Sequence, residues 1–254
     1  MSGNVVCDLD GVVYRGMEEV PGSGFALAAL EAAGWRIIFS TNNSARTPED
    51  VAGRIGSITG YMARPEQVVT SAAAAADLLS ESKPPTFVVG GTGVTVALER
   101  AGISVTAHGP EAGAVVVGLA TSLTYDLLRE ASSAVRRGAR LVATNDDPTY
   151  PVEDGFWPGA GSILAAIEVA SGATAEVAGK PFAPMRDLIR KQLGPGPVWV
   201  VGDRAETDLA LVWAEPGWQA ALVLTGVATE DQVIDPVPNL VARDLAEFAR
   251  TLLG

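Results

Sequence analysis

The stretch from Val5 to Tyr14 reads VVCDLDGVVY and decides how the fold is interpreted. An apolar run with the character of a buried strand ends at two carboxylates, Asp8 and Asp10, and a glycine follows at once. Residues two positions apart on a strand share a face, and open parallel sheets bind ligands at the carboxyl ends of their strands. Because two carboxylates at this spacing repel each other, the pattern predicts a hard divalent cation between them, Mg²⁺ above all.

Composition narrows the class of protein. The 254 residues are 48% hydrophobic and 19% charged, which is typical of a folded globular chain. With 18 basic and 30 acidic residues the net charge is −12, which argues against a nucleic-acid partner. The single cysteine suits a reducing compartment, and no run of about 18 apolar residues is available to cross a bilayer. We therefore expect a cytoplasmic protein that binds neither nucleic acid nor a membrane.

Short apolar runs alternate with segments of helical spacing along the whole chain. Within each run the apolar residues are consecutive and do not alternate with polar ones, as in strands buried on both faces. The pattern therefore predicts an α/β fold with a mostly parallel sheet. The predicted strands are NVVCDL, GWRIIFS, PTFVVGG, GAVVVGL, ARLVAT, GPVWVVGD, AALVLTG and NLVARDL. The predicted helices cover residues 25–33, 48–55, 66–79, 123–135, 162–170 and 184–193.

This is more strands than one compact sheet of this length usually carries, which indicates an inserted domain. Two stretches have the composition of linkers, SESKPP at residues 80–85 and SGATA at residues 171–175. We therefore predict a catalytic core made of residues 1–80 and 176–254, and an inserted α/β domain made of residues 81–175.

Two further segments carry groups suited to a phosphate. Thr41, Asn42 and Asn43 follow an apolar strand, where a hydroxyl, amides and turn N–H groups could hold phosphate oxygens. Lys180 stands between a glycine and a proline, and its ammonium group could neutralise charge on a transferring phosphoryl group. Each segment alone is also explained by ordinary turn chemistry or by a surface lysine.

A second acidic segment follows the apolar strand PVWVV. Asp203 could complete a metal site with the first acidic pair, and Asp208 could orient the waters of the metal or Lys180. A helix N-terminus attracts such residues without any catalytic purpose. All four segments follow apolar runs, however, and together they supply a nucleophile, an acid, a hydroxyl, a cation and metal ligands.

Four motifs in this order resemble those of the haloacid dehalogenase-like hydrolases. They are DLDGVVYRG, STNNS, GKP and GDRAETD, and the strings ATNDDPTYP, PGAGS and LVLTGV are also similar to the class IIA branch of NagD-like and p-nitrophenylphosphatase-like phosphatases. The resemblance spans essentially the whole chain. It implies a Rossmann-like parallel-sheet core with an inserted α/β cap of the C2 type between the second and third motifs.

The resemblance also implies roles for individual residues. Asp8 is expected to be the nucleophile, and Asp10 the general acid and base. Thr41 and Lys180 are expected to stabilise the phosphate. The implied cofactor is Mg²⁺, held by Asp8, by the main-chain carbonyl of Asp10 and by Asp203.

The implied substrate is a small phosphorylated metabolite, hydrolysed as a phosphate monoester. Glycerol 3-phosphate, phosphoglycolate, a nucleotide, a sugar phosphate and pyridoxal phosphate all suit this branch. Tyr150 lies in a string similar to the substrate-facing loop of the family and is expected to contact the leaving group. A homodimer through the cap is expected by the same analogy.

Three other functions are weighed against hydrolysis. A phosphotransferase or mutase would use the same core chemistry with a different acceptor. A receiver-like signalling module also gathers Asp, Thr and Lys around Mg²⁺, but its chain would be about half as long and would need no cap. A dinucleotide site is suggested by Gly91 and Gly93, but Val96 stands where the third glycine is required.

One region departs from the branch. Residues 212–218, VWAEPGW, occupy a place where the branch usually has a glycine-rich turn, and they are one residue longer. Because this region lies beyond Asp208, we expect a changed helix end and no loss of chemistry.

Overall fold

The computed structural model describes residues 2–152, 155–229 and 231–254, with the backbone alone at positions 151 and 152. Within these residues the strands are β1 Asn4–Cys7, β2 Tyr14–Arg15, β3 Glu18–Glu19, β4 Arg36–Thr41, β5 Val68–Thr70, β6 Thr86–Val89, β7 Val105–Thr106, β8 Ala114–Val117, β9 Arg140–Ala143, β10 Thr149–Val152, β11 Gly155–Pro158, β12 Glu176–Val177, β13 Val198–Gly202, β14 Trp218–Val223 and β15 Leu240–Ala242.

The helices alternate with these strands. They are α1 Ser23–Ala32, α2 Pro48–Thr59, α3 Ser71–Leu79, α4 Thr92–Arg100, α5 Tyr125–Arg136, α6 Ala160–Ser171, α7 Ala183–Arg190, α8 Ala210–Trp213 and α9 Leu245–Leu253. No helix within the described ranges combines the length and the apolar content that crossing a membrane requires.

The chain separates into two compact units. The first unit contains residues 1–41, 48–69 and 186–254, and the second contains residues 42–47 and 70–185. The second unit includes more residues than the predicted inserted domain of residues 81–175. The predicted division into a core and an inserted domain remains a prediction. Both units carry a mostly parallel sheet with helices between the strands, so the predicted α/β class is confirmed.

The first unit is built on a six-stranded sheet in the order β15-β14-β13-β1-β4-β5. Strand β1 lies inside this sheet and pairs in parallel with β13 on one side and with β4 on the other. Its four residues are all buried, and Cys7 is fully buried among the apolar side chains of the core, as expected for a small hydrophobe. Burial on both sides explains why this strand is a continuous apolar run.

The second unit contains a five-stranded sheet in the order β12-β9-β8-β6-β7 and a separate antiparallel ribbon of β10 and β11. Strand β8 has the sequence AVVV and is fully buried between β6 and β9. Gly91 and Gly93 lie at the start of α4 and pack against the main chain of residues 44–46. The absence of a Cβ therefore lets these two backbone segments approach closely. This packing role is consistent with the missing third glycine of a dinucleotide-binding motif.

All eight predicted strands are confirmed, and one predicted helix is wrong at its start. The segment predicted as a helix over residues 66–79 contains a short 3₁₀ turn at Pro65–Gln67, then β5, and only then α3. Gln67 is buried and its side-chain amide donates to the carbonyl oxygen of Ile37 (3.2 Å). This contact fixes β5 beside β4, so tertiary pairing overrides the helical spacing.

The region that departs from the branch forms a helix end, as expected. Helix α8 ends at Trp213, and β14 begins at Trp218. Between them Glu215 pairs with Arg186 (2.9 Å) and with Arg190, and all three belong to the first unit. Glu215 thus anchors α7, and the expectation that the chemistry at Asp208 is kept remains a prediction.

Candidate active site

The carboxyl ends of β1 and β13 place two carboxylates side by side. Asp8 is the first residue after β1, and its N–H donates to the carbonyl oxygen of Val201 in β13 (2.9 Å). Asp203 is the first residue after β13. Because the two strands are parallel and paired in register, these side chains emerge at the same edge of the sheet.

A third carboxylate joins this pair. Ligand oxygens of Asp8, Asp203 and Asp208 all lie within 4.8 Å of one another, with Asp203 and Asp208 buried and Asp8 half-buried. Asp208 reaches the group through a single turn of π-helix, Ala205–Leu209, in which the N–H groups of Asp208 and Leu209 donate to the carbonyl oxygen of Arg204 (3.0 and 3.3 Å). The sequence predicted Asp208 only as a residue that orients waters or Lys180, so its place among the three carboxylates is a finding.

Main-chain N–H groups hold two of these carboxylates in place. The N–H of Val227 donates to Oδ2 of Asp203 (2.7 Å), and the N–H of Arg204 donates to Oδ2 of Asp208 (3.2 Å). Three carboxylates this close repel one another unless a cation lies among them. The donor set consists of oxygens alone, which is what hard divalent cations prefer.

Asp10 lies outside this group of three. Its side chain is exposed, and the residue forms an isolated bridge with Tyr14. Gly11 follows in the left-handed region at φ +86°, and a Cβ at this position would come within 2.6 Å of Oδ2 of Asp203. The glycine of the first motif is therefore required both by its backbone conformation and by the space beside Asp203.

Tyr14 follows the turn after Asp10, and its ring contacts Arg54 of α2. Tyr14 opens the small hairpin of β2 and β3 and is buried, and the guanidinium carbon of Arg54 lies 5.0 Å from the centre of its ring. Burial raises the pKa of the Tyr14 phenol, and the charges of Asp10 and Asp8 add to this effect while Arg54 opposes it. The phenol consequently stays neutral beside the two acids. The two-residue strands of this hairpin gave no sequence signal that would have revealed it.

Thr41 lies at the end of β4, the other neighbour of β1. It is buried, as is Ser40 before it. The register pairs Cys7 with Phe39, so Thr41 stands at the same edge of the sheet as Asp8. This placement agrees with the position from which a hydroxyl would meet a phosphate bound at Asp8.

Asn42 and Lys180 meet in the second unit. The Lys180 N–H donates to Oδ1 of Asn42 (2.7 Å), and Nδ2 of Asn42 donates to the Lys180 carbonyl oxygen (3.1 Å) and to Oδ2 of Asp147 (3.3 Å). The main-chain oxygen of Asn42 accepts from Nδ2 of Asn145 (2.7 Å). Lys180 is buried. The Asn42 amide thus fixes the backbone that carries Lys180, a positioning contact that the sequence did not predict.

The other two predicted substrate residues also lie in the second unit. Oδ1 of Asn43 accepts from the N–H of Ala45 (3.0 Å), which closes a local turn. Tyr150 is half-buried on β10 and pairs across the ribbon with the exposed Trp157 on β11. Substrate contact by Asn42, Asn43 and Tyr150 remains a prediction.

Comparison with known proteins identifies the family. A model described as haloacid dehalogenase-like hydrolase matches residues 5–104, and one described as HAD-hydrolase-like matches residues 177–248. An acid sugar phosphatase of Staphylococcus aureus is 36% identical over 230 residues, which are 89% of this chain and 88% of the relative. This chain belongs to the haloacid dehalogenase-like hydrolases.

Solved structures of other haloacid dehalogenase-like hydrolases have the same fold. The p-nitrophenyl phosphatase from Archaeoglobus fulgidus is 29% identical with a TM-score of 0.88, covering 98% of both chains. The glycerol phosphate phosphatase of Mycobacterium tuberculosis in complex with magnesium is 33% identical with a TM-score of 0.87, covering 96% of this chain and 75% of the other. The resemblance to class IIA enzymes is therefore confirmed, and this member of the family is a phosphatase.

Proposed function

We propose that this phosphatase hydrolyses small phosphate monoesters in a Mg²⁺-dependent reaction that passes through a phosphoaspartate on Asp8. The observation that carries the proposal is the group of three carboxylates at the ends of β1 and β13, with oxygens of Asp8, Asp203 and Asp208 within 4.8 Å of one another. Asp10 lies two residues beyond the nucleophile, in the turn where a second acid is needed.

The residues present fit Mg²⁺. Asp8, Asp203 and Asp208 would supply oxygen ligands, and the resemblance adds the main-chain carbonyl of Asp10. Two of the three carboxylates are buried, so their mutual repulsion is weakly screened by solvent. Bound Mg²⁺ would offset the negative charges of the Asp8 carboxylate and the phosphate, which otherwise oppose their approach.

The chemistry takes two displacements at phosphorus. In the first, an oxygen of Asp8 bonds to phosphorus as the ester P–O bond breaks, and Asp10 donates its proton to the departing alcohol. In the second, Asp10 takes a proton from water as the water oxygen bonds to phosphorus and the bond to Asp8 breaks. The sum is an ester and water converted into an alcohol and phosphate, with both aspartates restored.

Thr41 and Lys180 are proposed to meet the charge on the equatorial phosphate oxygens. Asn42 is proposed to serve mainly by holding the Lys180 backbone, and Asn43 by presenting the N–H groups of its turn. Tyr150 is proposed to contact the leaving group from the cap, residues 81–175 in the predicted division. In this proposal the core, residues 1–80 and 176–254, performs the reaction and the cap selects the ester.

The names of the relatives guide the choice of substrate. Sugar phosphates and glycerol phosphate are the first esters to test, because the similar enzymes include an acid sugar phosphatase and a glycerol phosphate phosphatase. A phosphotransferase remains the alternative with the same core chemistry. A cytoplasmic location and a homodimer through the cap remain predictions from the sequence.

The function is tested with a panel of these esters in Mg²⁺ and in EDTA. We expect phosphate release with Mg²⁺ and none with EDTA, because Asp8 cannot approach the phosphate while the charges are uncompensated. Alcohol and phosphate are both quantified, with ethylene glycol added as an alternative acceptor. Equal release in EDTA would contradict the metal requirement, and alcohol in excess of phosphate would indicate a phosphotransferase.

Gly226→Ala is expected to weaken Mg²⁺ binding roughly 10- to 100-fold, the range seen when groups that orient metal ligands are lost. A Cβ on Gly226 would overlap the carboxylate of Asp203, which must then move. Isothermal titration with Mg²⁺ measures the effect. The matched control is Gly53→Ala on α2, where a Cβ meets no atom within 4 Å. Unchanged affinity in Gly226→Ala would mean that Asp203 is not a ligand.

A further inference from the structure

A short segment after β14 joins two parts of the candidate active site. This segment, Thr225–Val227, is called the bridging segment below. At one end, Oγ1 of Thr225 donates to the carbonyl oxygen of Gly11 (2.6 Å). At the other end, the N–H of Val227 donates to Oδ2 of Asp203 (2.7 Å). The segment therefore contacts the turn after Asp10 and a carboxylate of the proposed metal site at the same time.

The contact with Gly11 completes the anchoring of the turn. The Gly11 N–H donates to the carbonyl oxygen of Tyr14 (2.8 Å), and its carbonyl oxygen accepts from Thr225. The peptide between Asp10 and Gly11 is planar and trans, so fixing the Gly11 N–H also aims the Asp10 carbonyl in the opposite direction. Both peptide units next to Gly11 are thus fixed, and the Asp10 backbone with them.

Thr225 is itself held from the other side. Nε of Arg15, in β2, donates to the main-chain oxygen of Thr225. Two hydrogen bonds therefore join the bridging segment to residues 11–15: Thr225 donates to Gly11, and Arg15 donates to Thr225. Thr225 is half-buried, so water would not fully replace its hydroxyl if the side chain were changed to an apolar one.

We propose that Thr225 is a positioning residue, which fixes the turn carrying Asp10 relative to Asp203 and so aligns Asp10 for proton transfer. Its hydroxyl acts through the Gly11 carbonyl and not on the substrate. This inference rests on the proposed function, in which Asp10 is the general acid and base.

The test compares Thr225→Val, which removes the hydroxyl at nearly constant shape, with Thr225→Ser, which keeps it. Thr229→Val is the matched control, because Thr229 is an exposed threonine of the same loop. Hydrogen exchange of the amides of residues 11–14 is followed by mass spectrometry. In Thr225→Val the exchange of these amides should be about tenfold faster, because one hydrogen bond of the turn is lost. In Thr225→Ser and Thr229→Val the exchange rate should be unchanged.

The kinetic experiment measures kcat and KM separately for each variant. Thr225→Val should lower kcat about tenfold with KM unchanged, because Thr225 does not contact the ester, and Thr225→Ser should retain wild-type kcat. Exchange at wild-type rates in Thr225→Val, or equal loss in the Val and Ser variants, would overturn the inference. If the wild type hydrolysed no ester, the proposed function would fail, and the inference that Thr225 aligns a catalytic acid would fail with it. The exchange data would then show separately whether Thr225 anchors the turn.

Discussion

Asp8→Asn is expected to release no phosphate from any ester of the panel, while the protein remains folded. The amide has the shape of the carboxylate but lacks the anionic oxygen that attacks phosphorus, so the first displacement cannot occur. Asp8 is also one of three carboxylates whose oxygens lie within 4.8 Å of one another. Removing one negative charge relieves their repulsion, so the variant should melt at a higher temperature than the wild type in EDTA.

The measurements are phosphate release, intact-protein mass after mixing with substrate, and thermal unfolding in EDTA. The wild type should show a phosphorylated species and Asp8→Asn none. Asp126→Asn is the matched control, because the Asp126 side chain is 80% exposed on α5. Turnover by Asp8→Asn at the wild-type rate would exclude Asp8 as the nucleophile.

Asp10→Asn is expected to lower kcat by roughly 10²- to 10⁴-fold, the usual contribution of general acid–base catalysis. With p-nitrophenyl phosphate the substitution should slow the first displacement less than the second, because the leaving group departs without protonation. The second displacement still needs Asp10 to take a proton from water. The variant should therefore release a burst of p-nitrophenol equal to the enzyme and then accumulate the phosphoaspartate on Asp8.

Stopped-flow absorbance measures the burst, and quenched samples give the phosphorylated fraction by mass. Esters of poor leaving groups, such as glycerol 3-phosphate, provide the internal control, because they should show no burst in the same variant. A change in KM alone, with kcat preserved, would contradict the acid–base role and would indicate that Asp10 only contributes to binding.

The fold was largely predictable because each main strand is a short, continuous apolar run. Strand β1 and its neighbours are buried on both faces, so their sequences carry the signal without any knowledge of the sheet. Strand β5 was missed because Val68 and Val69 directly precede the alanine-rich α3, and the two fuse into one apparent helical pattern. They are separated by the place of β5 beside β4, which is remote in sequence, and by Thr70, whose hydroxyl accepts from the N–H of Ala73 at the start of α3 (3.1 Å).

The candidate site was predictable where its residues end buried strands, as Asp8 and Asp203 do. Asp208 was predicted near the site but not among the three carboxylates, because its position depends on the π-helical turn Ala205–Leu209. The hydrogen bonds of Thr225 and Asn42 could not be predicted from the sequence, because each partner lies far along the chain. Thr225 and Gly11 are 214 positions apart, and Asn42 and Lys180 are 138 apart.

The position of β1 inside its sheet also affects how the protein is made. Strand β1 ends at Cys7, but its neighbour β13 begins only at Val198. At typical synthesis rates roughly 10 to 40 s pass between them, during which β1 can pair only with β4. During that interval the nascent chain carries Asp8 without Asp203 or Asp208. The group of three carboxylates therefore forms only after β13 and the residues up to Asp208 have been synthesised, and a fragment that stops before β13 contains Asp8 without the other two.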